Sequence, residues 1–423
     1  MKSVLLIAFH FPPVQVSSGL QRTLANAAYL PENGWRPLVL SAAPRAYPRT
    51  SDNQLNDIPE GTVVERAWAM DTARHLKVRG WYPGWLALPD RWVGWAVGGL
   101  VCGWRLLRRY RPSIIWSTYP IATAHLIGLG LHKVSGLPWV VDFRDSMTED
   151  DYPPEPRKRR VYRWIEKRAM RHCSLAVFTT PSAAAMYRER YPELPQDRFL
   201  VIPNGYDHRI FDEVEGDVAA SPEPEPSRGN CLLLLHSGVI YPQERDPEPF
   251  FTALSMLKRE GLIDAGSVRV RLRAPGHRSV FEPMLGRLDI EDMVELAPAL
   301  PYREALGELL RADGLLVFQA ANCNHQIPAK IYEYFRARKP VLALTDSAGD
   351  TASALRQAGI DSIVPLDNAQ AIASGLVEFV ARLRDRTAGI AAEEAVAQSS
   401  RKAGVAKLAR AMNALVDTRS RPG

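Results

Sequence analysis

A chain of 423 residues, 46% hydrophobic and 24% charged, is too long for one core and too apolar to stay disordered, so two or three globular domains follow. Its formal net charge of +6 decides no fold but favours anionic partners such as phosphorylated small molecules, acidic lipid or nucleic acid. Cys102, Cys173, Cys231 and Cys323 stand far apart with no CxxC pair, which argues against a metal cluster or a disulfide framework and for free thiols in a reducing compartment.

The first apolar run, 4–9, ends in His10-Phe11-Pro12-Pro13 with no small-residue cleavage site behind it. It reads as a buried strand rather than a leader. Further strand candidates fall at 37–41, 63–67, 114–117, 139–143, 175–179 and 199–202. Several are unbroken Val, Ile and Leu runs, as expected of parallel strands covered on both faces. Helical periodicity lies between them, for example at 19–30 and 161–171, giving the alternation of a doubly wound α/β sheet. At 212–229 the alternation stops, and Pro222, Pro224 and Pro226 interleave with Glu223 and Glu225, which predicts a linker. It restarts with strand candidates at 232–236, 268–273, 294–297, 315–318, 341–344 and 362–365. A final helix over 391–416 is long enough to cross back onto the first domain. The expected organisation is therefore a first α/β domain over 1–211, a linker over 212–229, a second α/β domain over 230–400, and a returning helix and tail over 401–423. The uncharged stretch 92–104 falls short of the ~20 apolar residues of a membrane-spanning helix.

In open α/β sheets ligands bind beyond the carboxyl ends of the strands, so residues just after each strand carry the functional information. The first such loop ends in Ser17-Ser18-Gly19 and opens a helix bearing Arg22. Its backbone N–H groups suit a phosphate; an ordinary helix cap is the other reading. Asp142-Phe143-Arg144-Asp145 closes a buried strand with charges that need partners, either as a structural ion pair or as a polar cluster orienting an acceptor. Ile202-Pro203-Asn204-Gly205 is a turn. In the second half, His236-Ser237-Gly238 ends a strand, and Arg245 precedes a helix near Pro247, where a guanidinium can grip a diphosphate bidentately. His325-Gln326-Ile327-Pro328-Ala329-Lys330 leads into a helix on which Lys330 and Glu333 share a face. That pair is either a surface ion pair or a site for a phosphate and a ribose.

In this order and spacing these segments resemble the retaining glycosyltransferases of family 4, of GT-B architecture. The likeness extends over nearly the whole chain and includes Gly34-Trp35 and Lys339-Pro340-Val341. It implies two facing Rossmann-like domains with parallel sheets and a C-terminal helix returning to the first. It implies that Gly19 approaches the donor phosphates, that Arg245 and Lys330 hold the diphosphate, and that Glu333, the second carboxylate of a Glu-x7-Glu motif, binds ribose, with Arg22 and Gly238 among the substrate-binding residues. The first Glu of that motif is replaced here by His325, beside Ile327. Arg144 and Asp145 take the acceptor side, with arginine where many relatives have histidine, and Asp145 joins Arg245 and Lys330 as an expected catalytic residue. The implied activity is transfer from a nucleotide-diphosphate sugar to a glycan or lipid-linked acceptor in surface polysaccharide synthesis. Retention, no metal and no further cofactor are part of that expectation, because cationic side chains and a helix N-terminus can stabilise the departing diphosphate. Arg245, Lys330 and Glu333 are expected to meet in one pocket facing the interlobe cleft.

Trp81, Trp85, Trp92, Trp95 and Trp104 fall within 24 residues of sequence, followed by Arg105, Arg108, Arg109 and Arg111, and a second basic run begins at Arg157. Core packing explains tryptophans in general. The pairing with arginine also suits peripheral docking on an anionic membrane from the cytoplasmic side. No nucleic-acid motif accompanies the charge. The competing expectations are a sugar-nucleotide epimerase of the same architecture and a catalytically silent nucleotide-sugar-binding protein.

Overall fold

The computed structural model describes residues 1–15, 18–77, 79, 81–149, 152–220, 231–242 and 245–419. The chain forms two compact units, Met1–Asn204 with Arg401–Gly423 and Gly205–Ser400. The first runs β1 (Lys2–Ile7), α1 (Ser18–Tyr29), β2 (Trp35–Ala42), β3 (Val63–Ala67), α2 (Thr72–His75), α3 (Trp95–Tyr110), β4 (Ile114–Thr118), α4 (Thr123–Ser135), β5 (Trp139–Arg144), α5 (Pro156–His172), β6 (Leu175–Phe178), α6 (Pro181–Arg190) and β7 (Phe199–Val201). The second runs α7 (His208–Ala220), β8 (Leu232–Ser237), α8 (Glu248–Arg259), β9 (Val268–Arg273), α9 (Arg278–Leu288), β10 (Val294–Ala297), α10 (Tyr302–Arg311), β11 (Gly314–Gln319), α11 (Lys330–Ala337), β12 (Val341–Thr345), α12 (Asp350–Gln357), β13 (Ile363–Val364), α13 (Ala369–Arg384) and α14 (Glu393–Gln398). The last helix, α15 (Arg401–Arg419), belongs to the first unit.

Both sheets are parallel throughout. Their orders, β3-β2-β1-β4-β5-β6-β7 and β10-β9-β8-β11-β12-β13, are the same doubly wound pattern twice. In each, the order reverses between the first strand and the fourth, which is where such sheets open a crevice. In unit 2 the two faces of β11 feed different cores. Leu316 and Phe318 join one cluster with Phe250 and Phe251, whereas Leu315 and Val317 join another with Tyr206 and Phe211. Alternate residues of a strand point to opposite faces, so this strand is covered on both sides, as its unbroken apolar sequence requires.

Two expectations change. The stretch 212–220 is not linker: it is most of α7, whose Ile210, Phe211 and Val214 are buried and whose partner is α10. Helical spacing of those apolar residues outweighs the approach of the prolines, and 221–229 lies outside the described residues. The helix expected over 391–416 is two helices. It breaks at Ser399-Ser400, where α14 ends in unit 2 and α15 begins in unit 1. There α15 packs on α1, burying Leu408 and Met412 in the first core, while Lys2 Nζ donates to Asp417 at 2.7 Å.

Beneath the loop after β5, Glu166 of α5 is a buried carboxylate that accepts from four side-chain donors. Thr148 Oγ1 and Tyr187 OH reach Oε2 at 2.8 and 2.9 Å, and Arg190 NH1 and Tyr191 OH reach Oε1 at 2.8 Å each. The Tyr187 hydroxyl also accepts from Met147 N at 3.0 Å, so the 145–148 loop is tied to α5 and α6 through one side chain. Removing one partner of a buried ion pair costs ~3–5 kcal/mol, since the remaining groups lose their acceptor. Glu166→Ala is expected to lose that much stability in urea unfolding; a loss below ~1 kcal/mol would show that the network adds nothing net.

Candidate functional site

Unit 2 places its charged residues at the carboxyl ends of β8 and β11, the switch point of its sheet. His236, next to last in β8, is buried, with its ring edge-on to Phe318 at 5.0 Å. Its Nδ1 lies 3.0 Å from the Leu316 carbonyl of β11, which can only accept, so Nδ1 carries the proton. Burial, Lys330 and Arg245 together hold the imidazole well below its usual range, and the ring is neutral. Nε2 is therefore an acceptor, and Lys330 Nζ stands 2.9 Å from it.

Gly238, just past the strand, has φ 115°. A side chain there would be strained, and its Cβ would sit 3.1 Å from Lys330 Nζ. The absence of that carbon gives the lysine its place. Burial and the Arg245 charge pull Lys330 down to about 7, with Glu333 acting in the other direction. Arg245 NH1 donates to the carbonyl of Val239 at 3.0 Å, and its guanidinium lies over the Tyr241 ring. Glu333 accepts from the Tyr302 hydroxyl at 2.7 Å. Gly238, Arg245, Lys330 and Glu333 are thus one neighbourhood of unit 2. The helix bearing Lys330 begins at that residue, two positions after the expected Pro328, because Ile331 N and Tyr332 N bond back to Pro328 O and Ala329 O in a preceding turn.

His325 and Ile327 lie in the loop before α11. Ile327 packs against the core containing Tyr332 and Phe335, and His325 is half-buried in a turn. Buried Gln319 braces this loop, its Nε2 donating to Cys323 O at 2.6 Å and Gln326 O at 2.9 Å, while Thr351 Oγ1 donates to its Oε1 at 2.6 Å.

In unit 1 the equivalent strand ends gather Gly19, His10 and Arg144. A Cβ on Gly19 would come within 2.8 Å of His10 Nδ1 and 2.9 Å of Arg144 NH1, so α1 approaches both only because residue 19 is glycine. Burial, then Arg144, holds His10 down to about 4 and hence neutral. Arg144 follows a register shift in β5 and adopts φ 56°, with its NH1 3.4 Å from Tyr119 O. Arg22 stands elsewhere in the network. Its Nε and NH2 grip the buried Asp142 carboxylate at 2.8 and 3.0 Å, and its NH1 and NH2 bond the carbonyls of Pro203 and Ile202 at 3.1 Å each. Asp142 of this segment is therefore paired with Arg22. Asp145 is exposed, in the loop held by the Glu166 network. Val16 and Ser17 lie outside the described residues.

Sequence reasoning passed over three residues. His236 was visible as a polar residue closing an apolar strand, and His10 likewise. Tyr302 gave no signal, because its partner lies 31 residues away on another helix.

Residues 19–205 match the family described as glycosyl transferase 4-like domain. No curated protein sequence matches the chain. Among solved structures, sucrose-phosphate synthase of Thermosynechococcus elongatus is similar with a TM-score of 0.61 at 13% identity, over 99% of this chain and 97% of that one. HepE of Anabaena, solved with UDP-glucose, gives 0.61 at 14% identity over 99% and 100%. A UDP-N-acetylglucosamine 2-epimerase gives 0.53 at 14% identity over 100% and 97%. At such identities the structures speak for the fold, two Rossmann-like domains of the GT-B type, and the family match concerns the first unit. Over residues 19–205 the chain is thus similar to the glycosyl transferase 4-like domain family, and its fold is that of two Rossmann-like domains of the GT-B type.

Proposed function

We propose that this chain is a glycosyltransferase that moves a sugar, with retention, from a nucleotide-diphosphate sugar to a hydroxyl of a glycan or lipid-linked glycan, without a metal or further cofactor. The observation that carries the reading is the meeting of Lys330 and Arg245 at the Gly238 turn. Two like charges brought together in a partly buried place oppose each other until an anion joins them. As the glycosidic bond breaks, negative charge grows on the diphosphate, and both cations stabilise it there more than in the bound donor. Glu333, steadied by Tyr302, is assigned to the ribose hydroxyls, and Gly19, His325 and Ile327 to the donor as well. Arg144 and Asp145 are assigned to the acceptor side, and Arg22, with four hydrogen bonds to Asp142, Ile202 and Pro203, supports its own domain beside the donor phosphates.

We further place the enzyme on the cytoplasmic face of an anionic membrane. No helix among the described residues is long and apolar enough to cross one. The tryptophans divide: Trp95 is in the core and Trp92 donates to Ala46 O, but Trp81 and Trp85 are each 70% exposed. On α3, Val97, Leu100, Val101 and Trp104 form an exposed apolar stripe beside Arg105, Arg108 and Arg109. Through α4 this helix is joined to α5, whose outer side carries Arg160, Arg163, Trp164, Lys167 and Arg168. No Asp or Glu occurs from 91 to 141, and the one acidic residue within α5, Glu166, is buried. An apolar stripe flanked by cations without a facing carboxylate matches an acidic lipid surface.

Incubation with UDP-, GDP-, ADP- and dTDP-sugars and a lipid-linked glycan extract is expected to release nucleotide only when acceptor is present, with the donor's anomeric configuration kept in the product. Arg245→Ala and Lys330→Ala should each lower kcat/KM ~100- to 1,000-fold, the scale of losing one preorganised charge-stabilising group. An isomerised donor without acceptor would identify an epimerase, and binding without turnover a silent relative. Donor affinity should be flat below pH 7 and fall above it, approaching about tenfold per pH unit. The sign follows because Lys330 titrates at about 7 in the empty site and must be protonated beside the diphosphate. Calorimetry from pH 6 to 9 reads this, and Lys330→Met should abolish the slope. In flotation assays the protein should bind phosphatidylglycerol vesicles more than phosphatidylcholine ones, less in high salt, and less still as Trp104→Glu; indifference to lipid charge and salt would remove the membrane assignment.

A further inference from the structure

The strand end that faces Lys330 is built in a way that the transfer reaction alone does not demand. An aliphatic residue at position 236 would suit the core around Phe250 and Phe318 better than an imidazole, and burying a polar ring is unfavourable unless both nitrogens are satisfied. Here both are, and each bond has one possible direction. Nδ1 donates to Leu316 O at 3.0 Å, which leaves Nε2 with a lone pair and no proton, 2.9 Å from Lys330 Nζ. Phe318 fixes the plane of the ring. The imidazole therefore spans from β11 to the first residue of α11 and presents one acceptor at a defined point. Opposite it, the missing side chain of Gly238 leaves the space that Nζ occupies. Tyr334, one turn along α11, donates to Leu316 O at 3.5 Å and accepts from Ser237 N at 3.3 Å, tying the same helix to the same two strands.

We propose that His236 is the positioning residue for Lys330: its Nε2 lone pair holds the lysine nitrogen over the open side of Gly238, so that a sugar diphosphate meets a side chain already aimed. This rests on the reading of Lys330 as a diphosphate-binding group. The physical gain is entropic. A lysine has many rotamers to lose when it grips an anion, and a side chain ordered beforehand loses few of them at binding. The acceptor suits this purpose because it is neutral. A carboxylate in the same place would neutralise the ammonium and compete with the ligand, whereas a neutral nitrogen orients it and leaves its charge for the diphosphate. The charged and titratable groups that act on Lys330 are His236 from β8, Arg245 from the loop before α8, and Glu333 from α11 itself. Arg245 opposes the lysine charge and Glu333 supports it.

The test needs no knowledge of donor or acceptor. Trace labelling of the full chain with acetic anhydride across pH 6–11, followed by peptide mass spectrometry, reads the titration of Lys330 against exposed Lys402 and Lys407. The wild-type half-point for Lys330 is expected near pH 7, well below the ordinary lysine value of 10.5. His236→Asn keeps a donor toward Leu316 O but has nothing where Nε2 stands; its Lys330 half-point should rise by at least one pH unit as the side chain swings to solvent. His236→Gln, whose amide oxygen reaches the Nε2 position, should stay within about half a unit of wild type. In calorimetry UDP-glucose should bind His236→Asn at least tenfold more weakly than wild type, and His236→Gln less than threefold more weakly. A wild-type Lys330 that titrates with the reference lysines, or a folded His236→Asn with an unchanged profile, overturns the proposal. The expected labelling pattern with no binding of any sugar nucleotide would keep the positioning role and strike only the diphosphate reading.

Discussion

The hydrogen bond from Lys330 Nζ to His236 Nε2 joins the two strands at the switch point of unit 2 to the helix that follows them. Its geometry depends on three further constraints. The Leu316 carbonyl sets the tautomer of the imidazole, the main chain at Gly238 turns away without a side chain, and Gln319 with Thr351 fixes the loop that delivers α11. None of these involves an ion pair. The lysine is placed by neutral partners, so its position does not depend on a counter-ion that a ligand would have to displace.

Unit 1 repeats the strand order and handles its charges differently. Arg22 and Asp142 form a bidentate pair that also satisfies two carbonyls near the end of the domain, and Glu166 collects a guanidinium, two phenols and a hydroxyl. These groups are saturated by protein and give stability and shape. In unit 2 the comparable place holds two cations that disfavour each other, with one carboxylate nearby. Local frustration of this kind is unfavourable in the empty protein and would be relieved by an anion, as the proposed diphosphate site requires.

What the sequence made legible follows from where the determining interactions lie along the chain. Parallel strands buried on both faces are written as unbroken apolar runs, so 4–9 or 315–318 could be recognised from their own residues. The start of α7 was obscured because proline-rich sequence follows it closely, although Ile210, Phe211, Val214 and Val218 already carry helical spacing. The break at Ser399-Ser400 has neither Gly nor Pro to announce it and depends on which unit each half packs against. Arg22 and Asp142 are 120 residues apart, so their pairing belongs to the sheet and not to any local pattern. Nor could composition divide the tryptophans. Trp95 packs at 5.6 Å on Phe9, and Trp104 lies along an outward stripe on the same helix; only the helix's orientation separates them.

Backbone strain gives a separate line of reasoning to the same places. Several non-glycine residues adopt positive φ, but Arg111, Asp289 and Arg338 end helices α3, α9 and α11, where a left-handed residue is the ordinary way to close the last turn. Arg144 and Ala274 have no such explanation. One ends β5 and the other follows β9, and Gly238 follows β8 with φ 115°. Each such residue other than glycine costs ~1–3 kcal/mol and persists only if its surroundings over-determine it. At Arg144 the surroundings are visible: Thr179 Oγ1 donates to its carbonyl at 2.7 Å, and Gly19 leaves room for its guanidinium. Strain at the carboxyl end of a strand, where the sheet opens, is what a fold shows when it holds side chains in directions that regular strands cannot supply. The ends of β5, β8 and β9 thus stand out from backbone conformation alone, with no reference to charge.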